Sequence, residues 1–389
     1  SKAYKNKYVV FRFDNWNEKH PCGVLIETIG DVDKLEAFYE YQLYCKNLHI
    51  SIKDLTDKTR EVISKRTKEE FIEQIFHNPR YNIEDRRDRY IFTIDPLNSL
   101  DYDDGFGNER IGDEWMVSIY IANVVIWLET LDLWKSLSRR VSTIYLPDKR
   151  RPMLPTILSE VLCSLVENQE RFSLVMDLRI DENGNIKDIS YKNALIQVKK
   201  NYVYEDRHLI NNDIGYKNLF DLTVKIDKYI KNSHDLVAFW MIKINSLTGE
   251  ILASKNKGIF RRTTIFNEQS FEMSDNIKKL SADTKRVILN WRRERGEYVL
   301  FNELREGEKK MVHISSPIRR VIDIMNQLEI MNDMREDSTL PRNNKEFYFS
   351  DIMSSKGKSK IDYINTCMRN IKKVERSSEI LRRCIEEEI

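Results

Sequence analysis

Four carboxylates, Asp95, Asp101, Asp103 and Asp104, crowd the stretch Ile91-Phe-Thr-Ile-Asp-Pro-Leu-Asn-Ser-Leu-Asp-Tyr-Asp-Asp-Gly105. Like charges packed this closely raise one another's pKa unless a cation intervenes. An all-oxygen donor set suits Mg²⁺ or Mn²⁺ and does not suit zinc. The same residues also read as an Asp-rich surface turn or as a calcium loop. The calcium reading fits poorly, because the sixth and twelfth positions counted from Asp101 are Phe106 and Gly112 rather than Gly and Glu. What favours a metal site over a plain turn is the strand in front of the acids and the material downstream.

That strand is expected over Tyr90 to Ile94, ended by Asp95-Pro96, since proline brings no N–H to a ladder and restrains the residue before it. On an extended chain Asp101 and Asp103 share a face while Asp104 points away, so convergence of all four needs a tight turn, which Gly105 permits. A second candidate lies at Ser316-Pro-Ile-Arg319. Ser316 reads as an N-cap with Pro317 at the first helical position, which places Arg319 in the first turn. Its guanidinium and the free N–H groups of the helix start both favour an anion, so the segment is a candidate phosphate site beside the plainer reading of an arginine in a surface pair.

The elements that must position these groups follow from periodicity. Residues 8–12 and 22–29 read as two short strands, too few for a β domain and expected to pack on the rest of the chain. Helical spacing runs over 33–47 and in two more stretches to about Phe76. Glu84 to Arg89 is a mixed charge run of the kind that is usually solvated. Trp115 to Val125 reads as a central strand and Ser142 to Leu146 as another. Ile157 to Leu165 is helical, with Leu158, Val161, Leu162 and Leu165 on one face. Residues 173–180 and 186–196 form a hairpin whose Asn183-Gly184 supplies positive φ angles. Helices are expected over about 217–231, 234–254 (with Trp240, Ile244 and Leu247 as core), 275–295 and 361–386, with Lys356 to Lys360 as a basic loop. His49 and His77 have no partner at ligand spacing and take no role.

The chain has 389 residues, 41% of them hydrophobic, enough for one large domain and a small one. Lys+Arg 64 against Asp+Glu 62 leaves +2, so nucleic-acid binding has to come from local patches, not from overall charge. The five cysteines are scattered and form no C-x-x-C, which speaks against a disulfide framework or a zinc site and for a reducing compartment. With no run of ~18 apolar residues and no secretory core, the chain is expected inside the cell, in the cytoplasm, with no membrane partner.

With these segments in hand, the chain resembles the catalytic (RNB) domain of the ribonuclease II/R family of 3′→5′ exoribonucleases. Phe92-Thr-Ile-Asp-Pro96 with Asp101, Asp103 and Asp104 is similar to the family's acidic metal motif. Tyr145-Leu-Pro-Asp-Lys-Arg-Arg-Pro-Met-Leu-Pro155 with Leu162-Cys-Ser-Leu165 is similar to its second block, and Ser315-Ser-Pro-Ile-Arg-Arg320 to its third. The resemblance implies an α+β fold, a mixed sheet wrapped by helices around an RNA channel, preceded by a partial OB-type (cold-shock) β segment. Residues 1–48 would be that segment, 49–90 a helical connector and 91–385 the RNB domain, with the family's C-terminal OB-type domain absent from these residues.

It further implies that Asp95, Asp101, Asp103 and Asp104 hold Mg²⁺, with Mn²⁺ as the alternative, and that Asp103 is the least replaceable. Tyr145 would stack on the terminal base and Arg319 would sit beside the scissile phosphate, with Tyr204 and Glu375 as further RNA contacts. The substrate would be single-stranded RNA, released as 5′-nucleoside monophosphates by a processive monomer, with a helicase or an RNA-decay complex as the partner class. A weakened member kept as an RNA-binding scaffold is the alternative. Departures from the family pattern stand at Asn123, at Ala238-Phe239 in place of paired glutamates, at Thr263 and at Val321.

Overall fold

The computed structural model describes residues 5–137, 139–265, 294–336 and 357–386. The first two strands are β1 (Lys7–Asn15) and β2 (Cys22–Asp31), an antiparallel hairpin pairing Lys7 with Asp31 at one end and Asn15 with Cys22 at the other. Helices α1 (Leu35–Cys45), α2 (Lys53–Ile63) and α3 (Lys68–Phe76) follow. The hairpin packs on α1 through a Tyr8–Tyr41 ring stack with centroids 4.4 Å apart. Beyond that contact Phe11, Phe13, Leu25 and Ile26 stay exposed, so the expected packing against the body of the chain is limited to one end. Two strands with apolar residues on both faces need a further layer to bury them, and α1 covers only part. In α3, Thr67 and Glu70 close a reciprocal capping box, and Phe71, Ile72 and Ile75 turn inward.

The chain continues through β3 (Ile83–Arg86), β4 (Phe92–Asp95), β5 (Asp104–Ile111), β6 (Glu114–Ala122), α4 (Val124–Thr130), β7 (Ile144–Tyr145) and β8 (Arg150–Arg151). After a π-helical turn over Ile157–Cys163 come β9 (Glu170–Ile180), β10 (Ile186–Gln197), β11 (Lys200–Val203), α5 (Arg207–Asn212), α6 (Ile214–Ile226) and α7 (Ser233–Ser254). The last elements are β12 (Ile259–Ile265), β13 (Glu294–Leu300), α8 (Val321–Glu336) and α9 (Gly357–Glu386).

Seven strands form one sheet in the order β11-β4-β5-β6-β9-β10-β3. The outer pairs β11/β4 and β10/β3 are parallel and the inner pairs antiparallel, which is the mixed sheet expected. At the centre, β6 from Val117 to Ala122 and β9 from Arg171 to Leu178 are buried throughout, because helices cover the sheet where these strands run. Helix α7 is long and apolar enough by composition to cross a membrane, although polar residues interrupt it so that the sequence shows no run of ~18 apolar residues. Here Trp240, Ile244 and Leu252 are in the core, and Leu247 is partly buried against it.

Several elements differ from expectation, each for a local reason. The central strand stops at Ala122 because the Asn123 side chain accepts the Ile126 N–H at 3.1 Å and starts α4. The strand expected over Ser142 to Leu146 is only the two residues of β7, paired with β8. In the β9–β10 connection only Gly184 has positive φ (85°), since Asp181 Oδ1 gathers the N–H groups of Asn183 and Asn185 into a wider turn. Val161 is exposed, because the wider π winding turns it away from Leu158 and Leu162. Gly357 to Lys360 begin α9 and are not a loop. The helix expected over 275–295 lies outside the described residues except for Glu294 and Arg295, which open β13.

The 84–89 charge run is also corrected. Arg86 is 2% exposed and donates from Nη1 and Nη2 to Asp177 at 2.9 and 2.6 Å, and Ser118 Oγ adds a third hydrogen bond to Asp177 at 2.6 Å. One arginine of the run is therefore a buried sheet-spanning clamp, not part of a solvated face.

Candidate active site

The acidic loop is built by the sheet. Parallel pairing of β4 with β11 sets Asp95 beside Val203, and β5 begins at Asp104, opposite Ile121 of β6. Between them the Asp103 carbonyl accepts the Ala122 N–H at 2.9 Å, so the loop continues the ladder and its side chains are fixed relative to the sheet. Ser164, from the second sequence block, holds the other side. Its Oγ accepts the Tyr102 N–H at 2.9 Å and donates to the Leu100 carbonyl at 3.0 Å, and the Leu165 N–H binds the Tyr102 carbonyl at 3.0 Å.

Arg319 is brought to this loop by a turn, not by a helix start. Helix α8 begins at Val321, and Ser316 does not cap it: Ser316 Oγ accepts from Arg319 Nη2 at 2.8 Å, while the Ser316 N–H binds Asp323 at 2.7 Å. The turn is tied down by Thr143 N–H and Ser142 Oγ, which both donate to the Arg319 carbonyl at 3.0 and 2.8 Å. Arg319 Nε then donates to Asp103 Oδ2 at 3.1 Å, and the Ile318 N–H to Asp103 Oδ1 at 2.9 Å. The Arg319 side chain remains 43% exposed and that of Asp103 4%. Nη1 of Arg319 has no partner among the described residues, which leaves it for a ligand.

Asp101 is held differently. Tyr145 Oη donates to its Oδ2 at 2.9 Å and Arg150 Nη1 to its Oδ1 at 3.0 Å, while the other arm of Arg150 pairs with Glu160. Tyr145 is in turn fixed by its backbone N–H, which donates to Glu375 of α9 at 2.8 Å. Tyr204 joins through its N–H, 3.1 Å from the Asp95 carbonyl, and its ring lies flat on His234. The structure thus brings all eight expected residues into one connected neighbourhood, with Tyr204 covered by a neighbour the sequence reading had not singled out. Arg150, Glu160, Ser164 and His234 were missed as site residues. The signals for them were the second sequence block, which holds Arg150 and, in Leu162-Cys-Ser-Leu165, Ser164; Glu160 and His234 had none.

Electrostatics decides what the acids can do. Burial above all, with Asp101 and Asp104 adding to it and Arg319 and the Ile318 N–H opposing, pushes Asp103 up to about 7. Burial likewise raises Asp95 and Asp104, which repel each other. Burial disfavours the charge on Arg319, but Asp103 and its neighbours outweigh that and its pKa is raised. Burial, then Asp104 and Asp95, push the Tyr204 phenol up to about 12, which keeps it neutral.

Among the described residues no three Asp, Glu, His or Cys side chains stand as a preassembled metal cage, because Asp101 and Asp103 are turned toward Arg150 and Arg319. The residues nonetheless fit a hard divalent cation. Asp95 Oδ2 is buried without a hydrogen-bond partner, and buried carboxylates whose charge is penalised by one another are what such an ion relieves.

A twisted mixed sheet presenting an acidic loop to an arginine turn defines the class, an RNB fold, and residues 83–218 match the model of the RNB domain. Over those residues the chain is similar to the RNB domain. It is 33% identical over 156 residues to ribonuclease R of Mycoplasmopsis pulmonis, a stretch covering 40% of this chain and 21% of that protein. The chain spans about a fifth of the length of the curated relatives it matches. Among solved structures it resembles Mycoplasma genitalium RNase R in complex with ribose-methylated single-stranded RNA, with TM-score 0.74 and 19% identity over 96% of this chain and 68% of that one. It also resembles yeast Ssd1, described as a pseudonuclease, with TM-score 0.67 and 14% identity over 97% of this chain and 54% of that one.

Proposed function

We propose that the protein is a divalent-metal-dependent 3′→5′ exoribonuclease that hydrolyses single-stranded RNA to 5′-nucleoside monophosphates, with Mg²⁺ as its metal. The observation that carries this reading is the buried Asp103 with the half-buried Asp95 and Asp104, one oxygen of Asp95 being orphaned, facing a half-open Arg319. Asp95 and Asp104 would hold the metal directly, with Asp101 and Asp103 completing the set. The ion would supply the positive charge that makes water nucleophilic near neutral pH and stabilises the leaving oxygen.

The chain's own groups do the rest. Arg319 binds the phosphate through its free Nη1 and is oriented by Asp103 and Ser316. Tyr145 offers its ring to the terminal base, with its backbone set by Glu375. Stacking contributes roughly 1–3 kcal/mol per base without regard to sequence, so little sequence preference and a requirement for unpaired strands follow. The division at 1–48, 49–90 and 91–385 and contact with a helicase or an RNA-decay complex belong to the same reading.

A second reading, an RNA-binding scaffold without cleavage, is favoured by the likeness to yeast Ssd1 and by Ala238-Phe239, which place no carboxylate at those two positions of α7. One experiment separates the two. Purified protein is incubated with a 5′-labelled single-stranded oligoribonucleotide, with and without Mg²⁺, beside Asp103→Asn. Metal-dependent shortening from the 3′ end that Asp103→Asn abolishes is expected. Full-length label with a shifted mobility makes the protein a scaffold, and equal cleavage of the DNA version removes the RNA assignment.

A further inference from the structure

We propose that His234 is an RNA-contacting residue whose open ring face stacks a base of the bound strand, with Tyr204 as the ring behind it. This rests on the functional reading above. The two rings lie 3.8 Å apart between centroids and within 7° of parallel, closer and flatter than the other ring pairs described. His234 occupies the first turn of α7 and is exposed, whereas Tyr204 is partly buried, so the face left for a ligand belongs to the imidazole. No hydrogen bond from His234 is found among the described residues, and its interaction with the protein is the stack.

The stack is flanked by contacts that also satisfy the first N–H of α7. Glu205, directly after Tyr204, adopts φ +57°, a left-handed conformation that costs a side-chain-bearing residue energy. Its N–H donates to Ser233 Oγ at 3.0 Å, and its Oε1 accepts the Ser233 N–H at 2.9 Å and the Ser233 hydroxyl at 2.5 Å. Ser233, directly before His234, is fully buried. The residue after one ring is thereby clamped to the residue before the other, and the pair cannot slide. Tyr204 is in turn joined to Asp95 through its N–H, which sets the platform beside the acidic loop. One and two turns further along α7, Ala238 and Ile242 are exposed on the same side, so the ledge leading from His234 is small and apolar and offers no polar group to compete for the strand. Flat aromatic rings held rigid next to a phosphate-binding group are how proteins take hold of unpaired bases.

The test uses the full chain and a 5′-fluorescein-labelled unstructured oligoribonucleotide, with anisotropy read in EDTA so that binding is separated from cleavage. His234→Ala is expected to weaken binding about tenfold, His234→Phe to stay within about twofold of wild type, and His234→Leu to be as weak as the alanine variant. The melting temperatures of all four proteins are expected to agree. Binding unchanged in His234→Ala, or restored by leucine as fully as by phenylalanine, overturns the inference and leaves His234 as packing for Tyr204. If the variants bind like a wild type that itself binds RNA, only this inference falls. A wild type that binds no RNA overturns the functional reading and this inference with it.

Discussion

Asp103 and Arg319, 216 positions apart, meet at 3.1 Å, and both Asp103 oxygens are used, the second by the N–H of Ile318 next to that arginine. The pair links the acidic loop to the Arg319 turn, so a change at Asp103 disturbs both.

Asp103→Asn keeps the shape and one acceptor but removes the charge that orients Arg319. RNA binding is expected to stay within about threefold of wild type, while single-turnover cleavage falls about 100-fold or more, the scale seen when one electrostatic group is removed from an active site. Undiminished cleavage would show that the reaction takes place elsewhere.

Ser164 tests whether the second block acts through the first. Its hydroxyl satisfies Tyr102 N–H and the Leu100 carbonyl within the acidic loop. Ser164→Ala is expected to cost about 1–3 kcal/mol in urea unfolding. It should also lower the rate of cleavage more than the affinity for RNA, because the loop that carries Asp101 and Asp103 loses its anchor. A loss of stability with cleavage per folded molecule unchanged would make Ser164 purely structural.

The acidic loop, the β9–β10 hairpin and the buried centre of the sheet were legible because each depends on local chemistry: a proline after a strand, a glycine at positive φ, a run of apolar β-formers. What escaped depends on partners far away in sequence. Ser316 has the composition of an N-cap, yet its hydroxyl is taken by Arg319 and its N–H by Asp323, so the helix starts at Val321. Nothing in Glu84 to Arg89 tells which arginine will find Asp177, 91 positions on. His234 carries no sequence signal because its partner, Tyr204, stands on another element. The resemblance supplied Tyr145 and Glu375 as candidate site residues. Their connection, a backbone N–H of one bound by the carboxylate of the other, needed coordinates.

Arg86 and Asp177 offer a test of the fold that leaves the site alone. Both are buried, and removing only the acid leaves the guanidinium with Glu84, 2.8 Å from its Nε, as the remaining acidic partner. Asp177→Ala is expected to destabilise the protein by about 1.5–3 kcal/mol, the scale of hydrogen bonds lost to a charged group, whereas replacing both partners with apolar residues should cost less. Urea unfolding of wild type, single and double variants gives the comparison. A double variant as unstable as the single one would mean that packing, not the half-paired charge, sets the cost.

The last prediction couples pH to metal. Burial, more than any other influence, sets the Asp103 carboxyl at about 7, against 3.8 for an ordinary aspartate, and raises Asp95 and Asp104 in the same direction. Groups raised on folding hold their protons longer in the folded protein than in the unfolded chain, so their contribution to stability is complete below about pH 4 and is lost as pH rises through the folded value. In EDTA the melting temperature is therefore expected to fall between pH 5 and pH 8, less steeply in Asp103→Asn, which lacks one of the three groups. A divalent ion favours the ionised carboxylates, so Mg²⁺ should raise the melting temperature more at pH 8 than at pH 5. Differential scanning fluorimetry across this range decides the matter. A Mg²⁺ effect equal at both pH values, and equal in wild type and Asp103→Asn, would place the ion away from these carboxylates and remove the acidic loop from the metal site.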